Sequence, residues 1–204
     1  MKSALYFGFF FIVAQSLMAS ASIADGKRCT YELEKESVHV GWTAFKTTQK
    51  LAVNGAFKGV HVEGGHPQAE TISDLLQGLK VTVDAFSVDT ANPARDKTLV
   101  EFFFKKLSPV ISGEVKSASV KDQSFILQLS LNGRSREIPF HYHSDDRKNF
   151  KASGTLNITE FGAQKALMSL NKQCYDLHKG PDGVSKTWSE VELNLSGALV
   201  SHCQ

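Results

Sequence analysis

Charge of one sign is missing from this chain. Its 23 lysines and arginines nearly balance 21 aspartates and glutamates, and the basic residues are scattered instead of forming a stripe. A nucleic-acid surface needs such a stripe, so no nucleic-acid partner is expected. Cysteine is scarce, and three of them allow one intramolecular bridge at most. Phosphate loops, nucleophile elbows and zinc-protease signatures are absent, so neither catalysis nor a cofactor is expected. No internal repeat, low-complexity tract or interdomain linker divides the chain. What remains is one domain's worth of sequence, long enough to bury a sizeable core.

Long apolar runs are also lacking, except at the start. Lys2 precedes an almost wholly apolar stretch from Ala4 to Ala14, and Ala19-Ser20-Ala21 supplies small residues for cleavage. This is the pattern of a secretory signal peptide over residues 1–21. The run is shorter than the roughly 20 residues that span a bilayer, and no second span follows. A soluble chain that is periplasmic or secreted is therefore expected, with a short segment 22–28 ahead of a domain over 29–204. Cys29 does not read as a lipid anchor, because Gly26-Lys27-Arg28 precede it. Cys29 and Cys203 stand in polar, terminal contexts and are expected to pair. Cys174 falls on the apolar side of a helix and reads as a buried thiol.

What the chain does have is a period of two. Val38, Val40, Trp42 and Ala44 alternate with their neighbours. Val53, Gly55 and Phe57 continue after a turn, and Leu79, Val81, Val83 and Ala85 form a third strand. Further strands fall at 110–121, 124–131, 137–142, 150–158 and 191–200. Asn132-Gly133 is a strong hairpin signal, since both positions of a type I′ turn need positive φ. About eight strands with short connections suggest an up-and-down barrel or a sandwich. Two helices interrupt them. Asn92-Pro93 starts one over 93–107, which contains Phe102, Phe103 and Phe104. The other runs over 163–178, with Ala163, Leu167, Leu170, Cys174 and Leu177 on one face, and Gly180-Pro181-Asp182-Gly183 stops it.

Several segments together resemble the YceI family of exported, lipocalin-like proteins. They are Val40-x-Trp42-x-Ala44, Val53-x-Gly55-x-Phe57, and Ser87-Val88-x-Thr90-x-Asn92-x-x-Arg95-Asp96-x-x-Leu99. Later come Leu131-x-Gly133 with Ile138-Pro139-Phe140, Gly154-Thr155-Leu156-Asn157-Ile158 with Phe161-Gly162, and Trp188 with Val191-Glu192-Leu193. The resemblance implies an all-β fold, an eight-stranded antiparallel lipocalin-like barrel with two short helices. It implies that the barrel holds an elongated apolar lipid, a polyisoprenoid or a fatty-acid-like chain. Lys46, Lys105, Lys106 and the stretch 174–179 depart from the family pattern, which bears on ligand identity more than on fold.

The expected apolar lining is Val40, Trp42, Val53, Phe57, Val81, Val83, Phe102 and Phe103. Trp42 leads because it joins bulk to one polar handle. Arg95 and Asp96 are expected to brace the loop or stand at the mouth, with Arg95 bonded to carbonyls or a carboxylate. His141 and His143 share a strand face, but two imidazoles make a weak metal signal and no metal is expected. Cys174 and His178, one helical turn apart, read as a buried thiol and a helix-end histidine. Glu190 and Glu192 read as an outward polar face. Two other functions stay open: a filled barrel binding a partner on its surface, and an enzyme acting on an isoprenoid lipid.

Overall fold

The computed structural model describes residues 28–145 and 148–204. The expected leader over residues 1–21 lies outside them. The described residues form eleven strands: β1 (Cys29–Leu33), β2 (His39–Lys46), β3 (Leu51–Phe57), β4 (Val60–Gly64), β5 (Leu79–Asp84), β6 (Val88–Asp89), β7 (Val110–Ser119), β8 (Ser124–Leu131), β9 (Arg134–Asp145), β10 (Asn149–Asn157) and β11 (Thr187–Cys203). Three α-helices accompany them: α1 (Ile72–Leu76), α2 (Pro93–Phe102) and α3 (Gln164–Gln173).

The strand order, β4-β5-β7-β8-β9-β10-β11-β2-β3-β6, is an antiparallel meander in which each end strand continues a strand near the other end: β4 continues β3, and β6 continues β5. β3 and β4 are separated only by Lys58 and Gly59. β3 pairs with β2 on one side of that break, and β4 pairs with β5 beyond it. The sheet therefore curls until its edges meet through these bent strands, and no long edge is left open. Counting β3–β4 and β5–β6 as one bent strand each, with β1 set aside as an addition to β11, leaves the eight expected staves. At the bend, Lys58 and Gly59 face the four residues Asp84–Ser87, between the pairs Val60↔Val83 and Phe57↔Val88. The Lys58 amide donates to the Ser87 carbonyl at 3.0 Å, the Asp84 amide to the Gly59 carbonyl at 2.9 Å, and the Gly59 amide to Ser87 Oγ at 2.8 Å. The irregular corner thus keeps its backbone groups bonded.

Inward alternation is regular along the walls. Phe125, Leu127, Leu129 and Leu131 are buried on β8, Ile138, Phe140 and Tyr142 on β9, and Leu79, Val81 and Val83 on β5. The β8–β9 turn is the expected two-residue one, with Asn132 at φ 53° and Gly133 at φ 72° between paired Leu131 and Arg134. Phe125 stacks on Phe140 at 5.0 Å between centroids, and Tyr142 lies 6.5 Å from Phe125. This aromatic stack fills the lower barrel.

The topology gives the barrel two distinct ends. The β2–β3 turn, α2, the β8–β9 turn and α3 all fall at one end, called the cap end below. α1, the β7–β8 turn and β1 fall at the other. There β1 pairs with the end of β11, Cys29 opposite Cys203, and the two cysteines form a disulfide.

Some sequence expectations need correction. A strand not expected from the sequence, β1, precedes the Val38–Ala44 alternation and contains Cys29, because pairing with the C-terminus extends the sheet. α1 adds a third helix: Thr71 Oγ1 accepts from the Asp74 amide at 3.1 Å and caps a segment too short for its periodicity to register. α2 starts as expected, Asn92 Oδ1 accepting from the Arg95 amide at 3.1 Å. It ends early because Phe103 turns out of helical geometry, and a 3-10 turn over Phe104–Lys106 follows. α3 likewise stops at Gln173, ahead of a second 3-10 turn over Asp176–His178.

Candidate functional site: the cavity beneath the helical cap

Above the aromatic stack the barrel is not filled. A cavity of about 150 Å³ remains, floored in part by Phe140 and roofed by Leu99, Phe103 and Phe104 from the α2 segment and by Leu167 and Leu170 from α3. Its walls come from β2, β3, β5, β7, β8, β10 and β11. Nearly every lining side chain is apolar, with Ser112, Thr187 and the Trp42 and Trp188 indoles as polar-bearing exceptions, the Trp42 N–H being buried without a partner among the described residues.

Six of the expected lining residues meet here: Val40, Trp42, Phe57, Val81, Val83 and Phe103. Val53 and Phe102 do not. Val53 pairs with Ala44 and packs on the same cluster, but it does not reach the void. Phe102 ends α2, and the turn at Phe103 sends Phe103 and Phe104 inward in its stead. Phe104 packs edge-on against both Phe57, at 5.8 Å, and Phe103, at 5.1 Å. Leu127, Leu129, Leu193 and Leu195 also line the void. Their alternation was visible in the sequence, but nothing there says which stretch of a wall borders empty space.

Trp42 is held by a close approach. Its partner across β2–β3 is Gly55, and a Cβ there would overlap the six-membered ring of the indole. Gly55→Ala must push the ring away, and overpacking of this kind costs about 1–3 kcal/mol. A lowered melting midpoint with shifted tryptophan emission is expected.

Asp96, not Arg95, braces the α2 entry. Asp96 Oδ1 accepts from the Thr90 amide at 2.9 Å and from Thr90 Oγ1 at 2.6 Å. Arg95 is exposed, and its guanidinium has no partner among the described residues, against the expectation of carbonyl or carboxylate bonding. The carboxylate wins because the turn at Ala91 leaves the Thr90 donors facing the first turn of α2.

A polar knot that the sequence reading did not anticipate closes one side of the cap. Thr187 Oγ1 donates to Asn171 Oδ1 at 2.8 Å and lies 2.6 Å from His178 Nδ1. The hydroxyl has one proton, and it goes to Asn171, so His178 Nδ1–H donates to Thr187. Burial, reinforced by nearby Lys46, pushes the His178 imidazole below its usual range. Burial pushes the Cys174 thiol up, with Lys46 opposing. These are the wrong directions for a thiolate–imidazolium pair. The unfolded chain takes up the His178 proton first as pH falls, so stability should drop below about pH 6.5, toward the folded pKa. Chemical denaturation across that range should show the drop, and His178→Gln should remove it. A midpoint that rises on acidification would contradict the assignment.

His141 and His143 lie exposed on the outer face of β9. Among the described residues no group of three or more metal-binding side chains converges. Glu190 bonds Lys50 at 2.7 Å, and Glu192 faces solvent. Among the described residues no helix is long and apolar enough to cross a membrane.

A closed antiparallel barrel with an apolar chamber under two helices defines a lipocalin-like class of fold. Within it, the chain belongs to the YceI-like domain family, whose pattern matches residues 31–198. Solved structures share the fold at low sequence identity. A polyisoprenoid-binding domain from Saccharophagus degradans, implicated in plant cell wall breakdown, is 10% identical, with 83% of this chain and 97% of that one covered at a TM-score of 0.55. BcnA from Burkholderia cenocepacia is 12% identical over 83% and 99% of the two chains, also at 0.55. A YceI protein from Campylobacter jejuni is 20% identical over 78% and 90%, at 0.50. No curated protein matches the chain.

Proposed function

We propose that this protein is an exported carrier that holds an elongated apolar lipid, a polyisoprenoid or fatty-acid-like chain, inside its barrel and performs no chemistry on it. The observation that carries this reading is the apolar chamber beneath the cap. The Saccharophagus neighbour is named as a polyisoprenoid-binding domain, which supports the same ligand class. Export is supported by the leader pattern and by a disulfide that suits an oxidising compartment.

Size shapes the mechanism. An engineered protein cavity of about 150 Å³ takes a ligand the size of benzene, whereas pockets for larger ligands run from about 300 Å³ upward. The chamber seen here holds one short apolar segment, so a long chain requires the roof to move. α2 is the element suited to move, since none of its residues is buried and sparsely packed elements open first. A barrel filled for surface binding alone would leave no void larger than a water, and this one does. The hydroxyl beside the cavity lends no support to an enzymatic role, since the Thr187 proton is committed to Asn171.

Delipidated protein titrated with a long-chain polyprenol or fatty acid should take up one molecule per chain and change its Trp42 emission. Saturation with neither lipid would overturn the reading.

A further inference from the structure

The outer surface of the cap end is unlike the rest of the molecule. The described connections at that end, residues 47–50, 90–109, 132–133 and 158–186, carry nine lysines and arginines against five aspartates and glutamates. The described connections at the opposite end, 34–38, 65–78, 120–123 and 148, carry three against five. A chain with a net charge of only +2 is therefore polarised along the barrel axis, positive where the cavity is roofed.

Exposed apolar side chains concentrate at the same end. Met168 is 70% exposed and Leu177 71%, and Leu51, Tyr175 and Val184 are each at least half exposed. Two of them, Leu177 and Tyr175, sit beside cations. Lys46 Nζ donates to the Leu177 carbonyl at 3.2 Å, Lys179 Nζ lies 4.7 Å above the Tyr175 ring, and Lys186 Nζ lies 3.5 Å above the Trp188 ring. Thr48 bonds Asp182 at 2.6 Å, tying the β2–β3 turn to the loop that carries Val184. Trp188 itself borders the cavity. Lysines around exposed leucine, methionine and tyrosine form the pattern of a surface that lies in the headgroup region of a bilayer.

We infer that the cap end docks onto an anionic lipid surface, lysines against headgroups and the exposed Met168, Tyr175 and Leu177 side chains against acyl chains, so that the roof opens where lipid is exchanged. This rests on the carrier reading. Charge complementarity selects the partner, since a neutral or cationic surface would leave the cation excess unmatched. It also explains why apolar side chains stay exposed at this end, while the opposite end is pinned by the disulfide.

The test sediments the full protein with vesicles of phosphatidylcholine alone or mixed with phosphatidylglycerol. Partitioning onto the mixed vesicles should be tenfold or more stronger and should collapse at high salt. Met168→Ser with Leu177→Ser should weaken it about tenfold, and Lys165→Glu with Lys172→Glu, both exposed on α3, by at least as much, all with unchanged melting midpoints. Equal partitioning onto both vesicles, no partitioning, or a Leu177-dependent dimer without vesicle binding would each overturn the inference. Uptake of dispersed polyprenol by the same preparation reports the cavity separately. Uptake without vesicle binding sinks the docking surface alone, and failure of uptake sinks the carrier reading.

Discussion

Ala44→Phe should abolish lipid uptake and leave the barrel standing. Ala44 lines the cavity from β2, between Trp42 and the cap end, and is only partly buried. A phenyl ring there projects into the void, so the added bulk occupies space that is already empty. Filling a void commonly stabilises by about 0.5–2 kcal/mol, while forcing bulk into a full core costs about 1–3 kcal/mol. The melting midpoint should therefore hold or rise, and uptake of a long-chain polyprenol should fall tenfold or more. Unchanged uptake in a folded variant would place the lipid elsewhere than the barrel. Loss of folding would show that the chamber is smaller in solution than its geometry indicates.

Removing the disulfide should produce the largest stability change. Cys29 and Cys203 are separated by 174 residues, so their bond closes nearly the whole described chain into one loop. Loop-entropy arguments put such a bridge at about 5 kcal/mol, and measured losses in small secreted domains run at about 2–5 kcal/mol. For a domain of this size each kcal/mol moves the midpoint by about 2–4 °C, so Cys29→Ser with Cys203→Ser should melt roughly 10 °C lower. Reductant should reproduce that shift in the native protein and do nothing further to the variant. Cys174 is buried and should react with a thiol reagent only on unfolding. A variant that melts with the native protein would mean that the β1–β11 pairing holds the ends without help.

The walls of this barrel were legible because antiparallel strands with one wet face write themselves as alternation. The β8–β9 hairpin could be read down to its two turn residues. β4 was hidden because it is the continuation of β3 across a two-residue break, so its signal merges with its neighbour's. β6 has two residues, too few for any period. The site was legible by face and not by depth. Val40, Trp42 and Phe57 share the inward face with Val53, yet only packing from α2 decides which of them borders the void. Phe102 and Phe104 are chemically equivalent in the sequence, and a backbone turn at Phe103 alone separates them. Arg95 and Asp96 were both expected at the brace or mouth, and only the turn at Ala91, which presents the Thr90 donors to Asp96, selects the carboxylate. The contact of Thr187 with Asn171 and His178 spans a loop that carries no pattern.

Native mass spectrometry of the protein purified gently and without detergent tests the central claim most directly. The expected spectrum shows the processed chain plus one hydrocarbon-rich molecule, released by organic extraction and identified as an isoprenoid or acyl lipid. A spectrum with only the apo mass, together with no uptake of added long-chain lipid, would contradict a lipid-holding barrel.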